Sequence, residues 1–242
     1  MKFDYTSVSD SGPALGLIVL QVDETIEGDM RHMLPAHVRL FVSRVPSGDA
    51  VTTETLSAMA AHLAQAASLL PQAAGCASVG YACTSGAAEI GPDRVAGFVR
   101  EGIAAPHVSD PLTALIAACQ ALGVTRLALL SPYVMDVSER LRDRLRKAGI
   151  ETPAFGSFEE AQEARVVRID AASIINAATS LAGLGGVDAI FLSCTNLRTM
   201  DVIDRIEAAT GLPCLSSNQV LAWDMARGAG FAAVIPGKLG KI

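Results

Sequence analysis

At 242 residues, half of them hydrophobic and 5% aromatic, the chain holds enough material for a substantial core, as one domain or two small ones. A formal charge of −6 without a basic cluster argues against nucleic acid as a partner, and no apolar run reaches the ~20 residues that cross a bilayer. Residues 1–12 lack the apolar stretch of a signal peptide, and five widely spread cysteines form neither a disulfide framework nor a paired metal motif; the expectation is a cytoplasmic protein with free thiols.

Strand-like apolar runs alternate with helical patterns along the whole chain. Residues 15–20 and 38–43 read as strands. Residues 52–70 read as one helix, with Thr52 or Thr53 as its N-cap and Pro71 closing it. A third strand covers 76–82. Helices follow over 93–101 and 111–122, the latter with Asp110 as cap and Pro111 at its first position. The pattern then restarts with a strand over 125–130, an amphipathic helix over 135–148 and a short strand over 150–155. A helical stretch from about 159 to 181, a strand over 189–193, a helix over 199–210, a strand over 213–217 and a helix over 219–227 complete the series. Arg140, Arg142, Arg144, Arg146 and Lys147 alternate with Glu139, Asp143 and leucines on one helix, which reads as a solvated face.

Strands alternating with helices imply parallel β-α-β units with right-handed crossovers. The fold class expected is α/β, with two similar lobes: 1–119 plus the tail 222–242, and 120–221. The cleft between them is the expected pocket.

Two short strings carry the chemistry. Ala82, Cys83, Thr84 and Ser85 close one apolar run; Ser193, Cys194, Thr195 and Asn196 close another, the cysteines 111 residues apart. Each reads as the tip of a parallel strand turning into a helix, the end of an α/β sheet where ligands bind. A helix N-terminus there lowers a thiol's pKa, and the N–H groups of Thr84, Ser85, Thr195 and Asn196 are donors for a carboxylate or oxyanion. One such cysteine alone reads better as a buried structural thiol; two in matched settings reverse that balance. Cys76, Cys119 and Cys214 lie inside apolar runs and read as core.

Opposed thiols suit deprotonation and reprotonation α to a carboxylate, or thiolate addition to a double bond with rotation and departure. His32, His37, His62 and His107 lack metal-ligand spacing, the run Gly183 to Gly186 precedes a strand and reads as a turn, and the four lysines fall on termini or a charged helix.

The two Cys-Thr motifs, the β-α lobes and the string from Ser131 to Leu141 (SPYVMDVSERL) resemble the aspartate/glutamate racemase superfamily, in its maleate cis–trans isomerase and arylmalonate decarboxylase branch. The resemblance implies a pseudo-symmetric pair of Rossmann-like lobes, no metal and no cofactor, and a homodimer. It also implies Cys83 as nucleophile or first base, Cys194 as the opposing acid/base, and Tyr133 as a substrate hydrogen-bonding residue. Arylmalonate decarboxylases keep only the second cysteine, so the pair points to isomerase or racemase chemistry. Where maleate isomerases carry a substrate-binding Asn after the first strand, this chain has Asp23, in a stretch that begins at Gln21; Glu163 stands for a second such Asn. Gln21, Asp23 and Glu163 are therefore substrate-binding candidates, and acidic residues there suit a substrate with a cationic or amide-bearing end, as in the ectoine-utilisation relatives. The rival readings are an amino acid or hydantoin racemase, and a non-catalytic small-ligand-binding protein of the same fold.

Overall fold

Residues Ala14–Leu20 form β1 and are buried along their whole length, as a central parallel strand covered on both faces must be. The computed structural model describes residues 1–8 and 12–242. After β1 come α1 (Ile26–Met33), β2 (Arg39–Val45), α2 (Thr53–Ala58), α3 (Ala60–Ser68), β3 (Ser78–Ala82), α4 (Thr84–Ile90), α5 (Pro92–Gly102), β4 (His107–Ser109) and α6 (Pro111–Leu122). The second half comprises β5 (Arg126–Ser131), α7 (Met135–Lys147), β6 (Glu151–Ser157), α8 (Glu163–Val166), α9 (Ala171–Gly183), β7 (Ala189–Leu192), α10 (Ile203–Thr210), β8 (Cys214–Ser216) and α11 (Ser217–Gly228).

The strands make two four-stranded parallel sheets with the same order, β2-β1-β3-β4 and β6-β5-β7-β8. The repeat is the two-lobe α/β fold that the alternation of elements implies. One apolar core runs through both sheets, and a smaller cluster fills the space between β1, α1 and α11. Helix α11 packs back on the first sheet, against β3, β4, α6 and α1. Gly80 makes that approach possible, since a Cβ there would lie 2.4 Å from Met225 Sδ. Among the described residues no helix is long and apolar enough to cross a membrane.

Three expected helices are shorter or divided. The 52–70 helix starts with a capping box on Thr52, as expected, but divides at Met59, where His62 N–H bonds to the Met59 carbonyl in a tight three-residue turn. Residues 159–162 are not helical: Glu159 has φ +54° and Gln162 is extended, held in an antiparallel bridge to Ala50. The 199–210 helix begins only at Ile203, because the preceding residues are turns that carry the Cys194 tip. Periodicity does not announce α1, which starts without a side-chain cap, or the three-residue β4.

Candidate active site

Cys83 follows β3 directly and is the N-cap of α4. Its Sγ accepts the Gly86 N–H at 3.2 Å. Glycine is required at 86, where a Cβ would sit 2.9 Å from that sulfur and 2.5 Å from the Tyr81 hydroxyl. Cys194, two residues past β7, is built differently. It has φ +98°, a backbone region that L side chains rarely occupy, and turns follow it. The expected helix N-terminus at this cysteine is therefore absent; its Sγ instead accepts the Asn196 N–H at 3.2 Å.

The tips meet. Thr84 Oγ1 lies 2.7 Å from Ser217 Oγ, which also accepts the Cys194 N–H at 3.0 Å. Thr195 Oγ1 donates to the Ala82 carbonyl at 3.3 Å, and the Thr195 carbonyl accepts from Thr25 Oγ1 and Asn218 Nδ2 at 2.5 and 2.9 Å.

Both thiols are buried, and the expected lowering of their pKa is not what the site produces. Burial pushes Cys83 up to about 12, against the pull of the Gly86 N–H, and the charge of Glu163 adds to the rise. Burial also holds Cys194 well above the usual thiol range, with Glu163 the next cause. Loss of water outweighs one helix end.

Tyr133, past the tip of β5, places its hydroxyl 2.8 Å from Cys194 Sγ and 2.6 Å from Glu163 Oε1. Asn196 Nδ2 donates to Glu163 Oε2 at 2.9 Å, while Asn196 Oδ1 accepts the Glu24 N–H at 2.9 Å. Glu163 is 3% exposed and Asp23 5%, so neither acid points to solvent. Burial raises the pKa of both. Their pairing differs. Both Glu163 oxygens are engaged, whereas Asp23 Oδ1 takes the N–H groups of Thr25 and Ile26, each at 2.9 Å, and Oδ2 has no hydrogen-bond partner among the described residues. The neighbouring Thr195 hydroxyl, which donates to the Ala82 carbonyl, also acts on Asp23 and holds its pKa down against burial.

Cys83, Ser85, Tyr133 and Glu163 line one cavity of about 20 Å³, closed over by Val51, Leu56 and Met59. Space for about one water is left. Its cover is stitched across the lobes, Val51 N–H to Ala161 O at 2.9 Å and Glu163 N–H to Asp49 O at 3.1 Å. A far larger cavity, about 560 Å³, lies among Trp223, Arg227, Phe231 and Ile235 and touches none of these groups. Convergent titratable side chains, not volume, mark the site. Gln21 stands apart: it is exposed, and its carbonyl takes Arg44 at 3.1 Å. Ser217 and Asn218 were not among the sequence candidates. The signal for them is the polar run Ser216 to Gln219 after a strand, the same pattern as the two cysteine tips.

Residues 16–241 match the arylmalonate decarboxylase family model. Arylmalonate decarboxylase of Bordetella bronchiseptica is 33% identical over 122 residues, which span 50% of this chain and 51% of that protein. Maleate isomerase of Nocardia farcinica is 27% identical over 234 residues, 92% of each chain. A double mutant of arylmalonate decarboxylase, solved in a liganded form, superposes with a TM-score of 0.84 at 28% identity, covering 94% of this chain and 98% of that one. With a match running nearly end to end and the same two-sheet architecture, the chain belongs to the arylmalonate decarboxylase family.

Proposed function

We propose that the protein is a cofactor-independent isomerase or racemase of a small carboxylate, with Cys83 and Cys194 acting from opposite sides of one carbon. The observation that carries this reading is the meeting of two cysteine tips, one from each sheet, around a single buried cluster of Tyr133 and Glu163. One thiolate removes a proton α to the carboxylate and the opposite thiol returns one, or one thiolate adds to a double bond and leaves after rotation. The first-turn N–H groups of Thr84 and Ser85, which have no acceptor inside their helix, are donors for the carboxylate. Covalent chemistry at cysteine has a precedent in a maleate cis–trans isomerase of Nocardia farcinica, solved with a bound succinylcysteine intermediate.

Asp23 supports a narrower substrate class. Among the described residues no Lys or Arg lines the small cavity, and the buried Asp23 Oδ2 is an acceptor without a hydrogen-bond donor. A second carboxylate would meet two buried acids, Asp23 and Glu163, and the Arg44 guanidinium near Asp23 is already spent on the carbonyls of Leu20, Gln21 and Asp23 and on Glu27. A substrate that carries an ammonium, amidine or amide group beside its carboxylate, such as a cyclic amidine of the ectoine type, supplies the missing donor.

The test is turnover in D₂O, with substrates first found by thermal shift across small carboxylates with and without positive charge. Proton-transfer catalysis washes deuterium into the α position, and covalent isomerisation leaves a mass adduct on Cys83 after quenching. A ligand that raises the melting temperature yet gives neither signal makes the protein a non-catalytic binder.

A further inference from the structure

We propose that Glu163 is the proton acceptor that ionises Cys194, acting through the Tyr133 hydroxyl. A carboxylate only accepts hydrogen bonds, so the 2.6 Å contact is Tyr133 O–H donating to Glu163 Oε1. That uses the single phenolic proton. The 2.8 Å contact on the other side is then the Cys194 S–H donating to the Tyr133 oxygen. The result is a directed chain, S–H to O–H to carboxylate, with no gap.

Transfer along it balances. The Cys194 S–H bond breaks and leaves its electron pair on sulfur; the proton joins Tyr133 oxygen as the Tyr133 O–H bond breaks, and that proton bonds to Glu163 Oε1. Tyr133 ends as it began, neutral. One negative charge has moved from carboxylate to sulfur, and the charge of the buried site is unchanged. This is what the site needs, because a thiolate formed beside an intact Glu163 carboxylate would place two like charges in a water-poor cluster. Asn196 fits both protonation states. Its Nδ2 donates to Glu163 Oε2, which stays an acceptor after Oε1 is protonated, and its backbone N–H donates to Cys194 Sγ.

Cys83 has no such outlet. The Tyr81 hydroxyl beside it donates to the Met59 thioether at 3.6 Å, and a thioether takes no proton at these pH values. The two thiols are therefore unequal, with Cys194 the one that starts as base. That reverses the order implied by the family resemblance. The relay deepens the two-thiol reading but needs no substrate to be tested.

The experiment follows native iodoacetamide alkylation of each cysteine by peptide mass spectrometry from pH 6 to 9, in the wild type, Glu163→Gln, Tyr133→Phe and Asp23→Asn. The titratable groups facing Cys194 and Glu163 are Tyr133, Asp23 and Cys83. A lone thiol reacts about tenfold faster per pH unit below its pKa, since only the thiolate attacks. A thiol sharing one proton with a carboxylate titrates as a pair and shows a plateau. Expected in the wild type is less than a twofold change per pH unit at Cys194 and about tenfold at Cys83. Glu163→Gln and Tyr133→Phe restore the tenfold slope at Cys194, and Asp23→Asn keeps the plateau. A tenfold slope at Cys194 in the wild type overturns the relay without any variant, and a plateau surviving in Glu163→Gln does the same. Deuterium wash-in alongside either result sinks the relay and leaves the two-thiol reading standing.

Discussion

Thr84 Oγ1 and Ser217 Oγ lie 2.7 Å apart, and through that contact the two cysteine tips share one anchor, since Ser217 also holds the Cys194 N–H. Ser217→Ala leaves a buried N–H without its acceptor. The expected cost is about 1–3 kcal/mol of unfolding free energy, read from urea denaturation. A change within measurement error would mean the tips are fixed by other contacts.

Cys194 holds φ +98° without being glycine, and such strain is kept where surrounding contacts over-determine it. Ala and Gly variants both lose the sulfur, so their difference isolates the backbone. Cys194→Gly is expected to be more stable than Cys194→Ala by roughly 1 kcal/mol, against the usual order for the two residues. Equal midpoints in denaturant would contradict the strain.

Asp29 gives a pH dependence with a definite sign. Burial, with Asp23 and Asp201 nearby, raises its pKa from 3.8 to about 6. Between those values the folded state holds a proton that the unfolded chain has lost, so this group's contribution to stability falls as pH rises from about 4 to 6 and stays lost above. Asp29→Asn removes that fall and keeps a partner for Asn218, whose Nδ2 bonds Asp29 Oδ2 at 2.7 Å. Relative to the wild type the variant should gain on the order of 2 kcal/mol between pH 4 and 7. Parallel stability–pH curves would count against the assignment.

Asp23→Asn should change which ligands are favoured. With the carboxylate gone, substrates carrying an ammonium or amidine lose affinity by about tenfold or more, and uncharged or dicarboxylate analogues gain. Melting-temperature shifts across matched pairs report the change, and an unaltered ranking would place the cationic end elsewhere.

A cavity of about 20 Å³ admits no substrate until the Val51–Ala161 and Asp49–Glu163 backbone bonds open. Cys83 lines that cavity, and Cys194 reaches it through the Tyr133 hydroxyl, 2.8 Å from its sulfur. Val51→Pro, which removes the first donor, should speed alkylation of Cys83 and Cys194 by the same factor. Acceleration of only one of them would mean that the two are reached by different routes.

The alternation of elements and the caps on Thr52 and Asp110 were legible in the sequence because they are local: periodicity and short-range hydrogen bonds decide them. The two cysteine tips were legible for the same reason. What local pattern does not carry is pairing across the fold. Residues 159–162 leave the helical state to bond the 49–51 segment, and Cys194 takes a strained turn held by Ser217. The direction of the thiol pKa shifts depends on burial by both lobes together. Asp23 and Glu163 were visible as substitutions within a resemblance; that one is saturated and the other half-free emerges only when Tyr133 and Asn196 are placed.

The central claim, that both sulfurs serve one site, is tested most directly with bromoacetate, a small carboxylate with a leaving group on its α-carbon. Native alkylation followed by intact-mass and peptide analysis should stop at one carboxymethyl group per chain, found on Cys83 in some molecules and on Cys194 in others. Chains carrying the group on both cysteines at once would show two separate cavities and contradict the account.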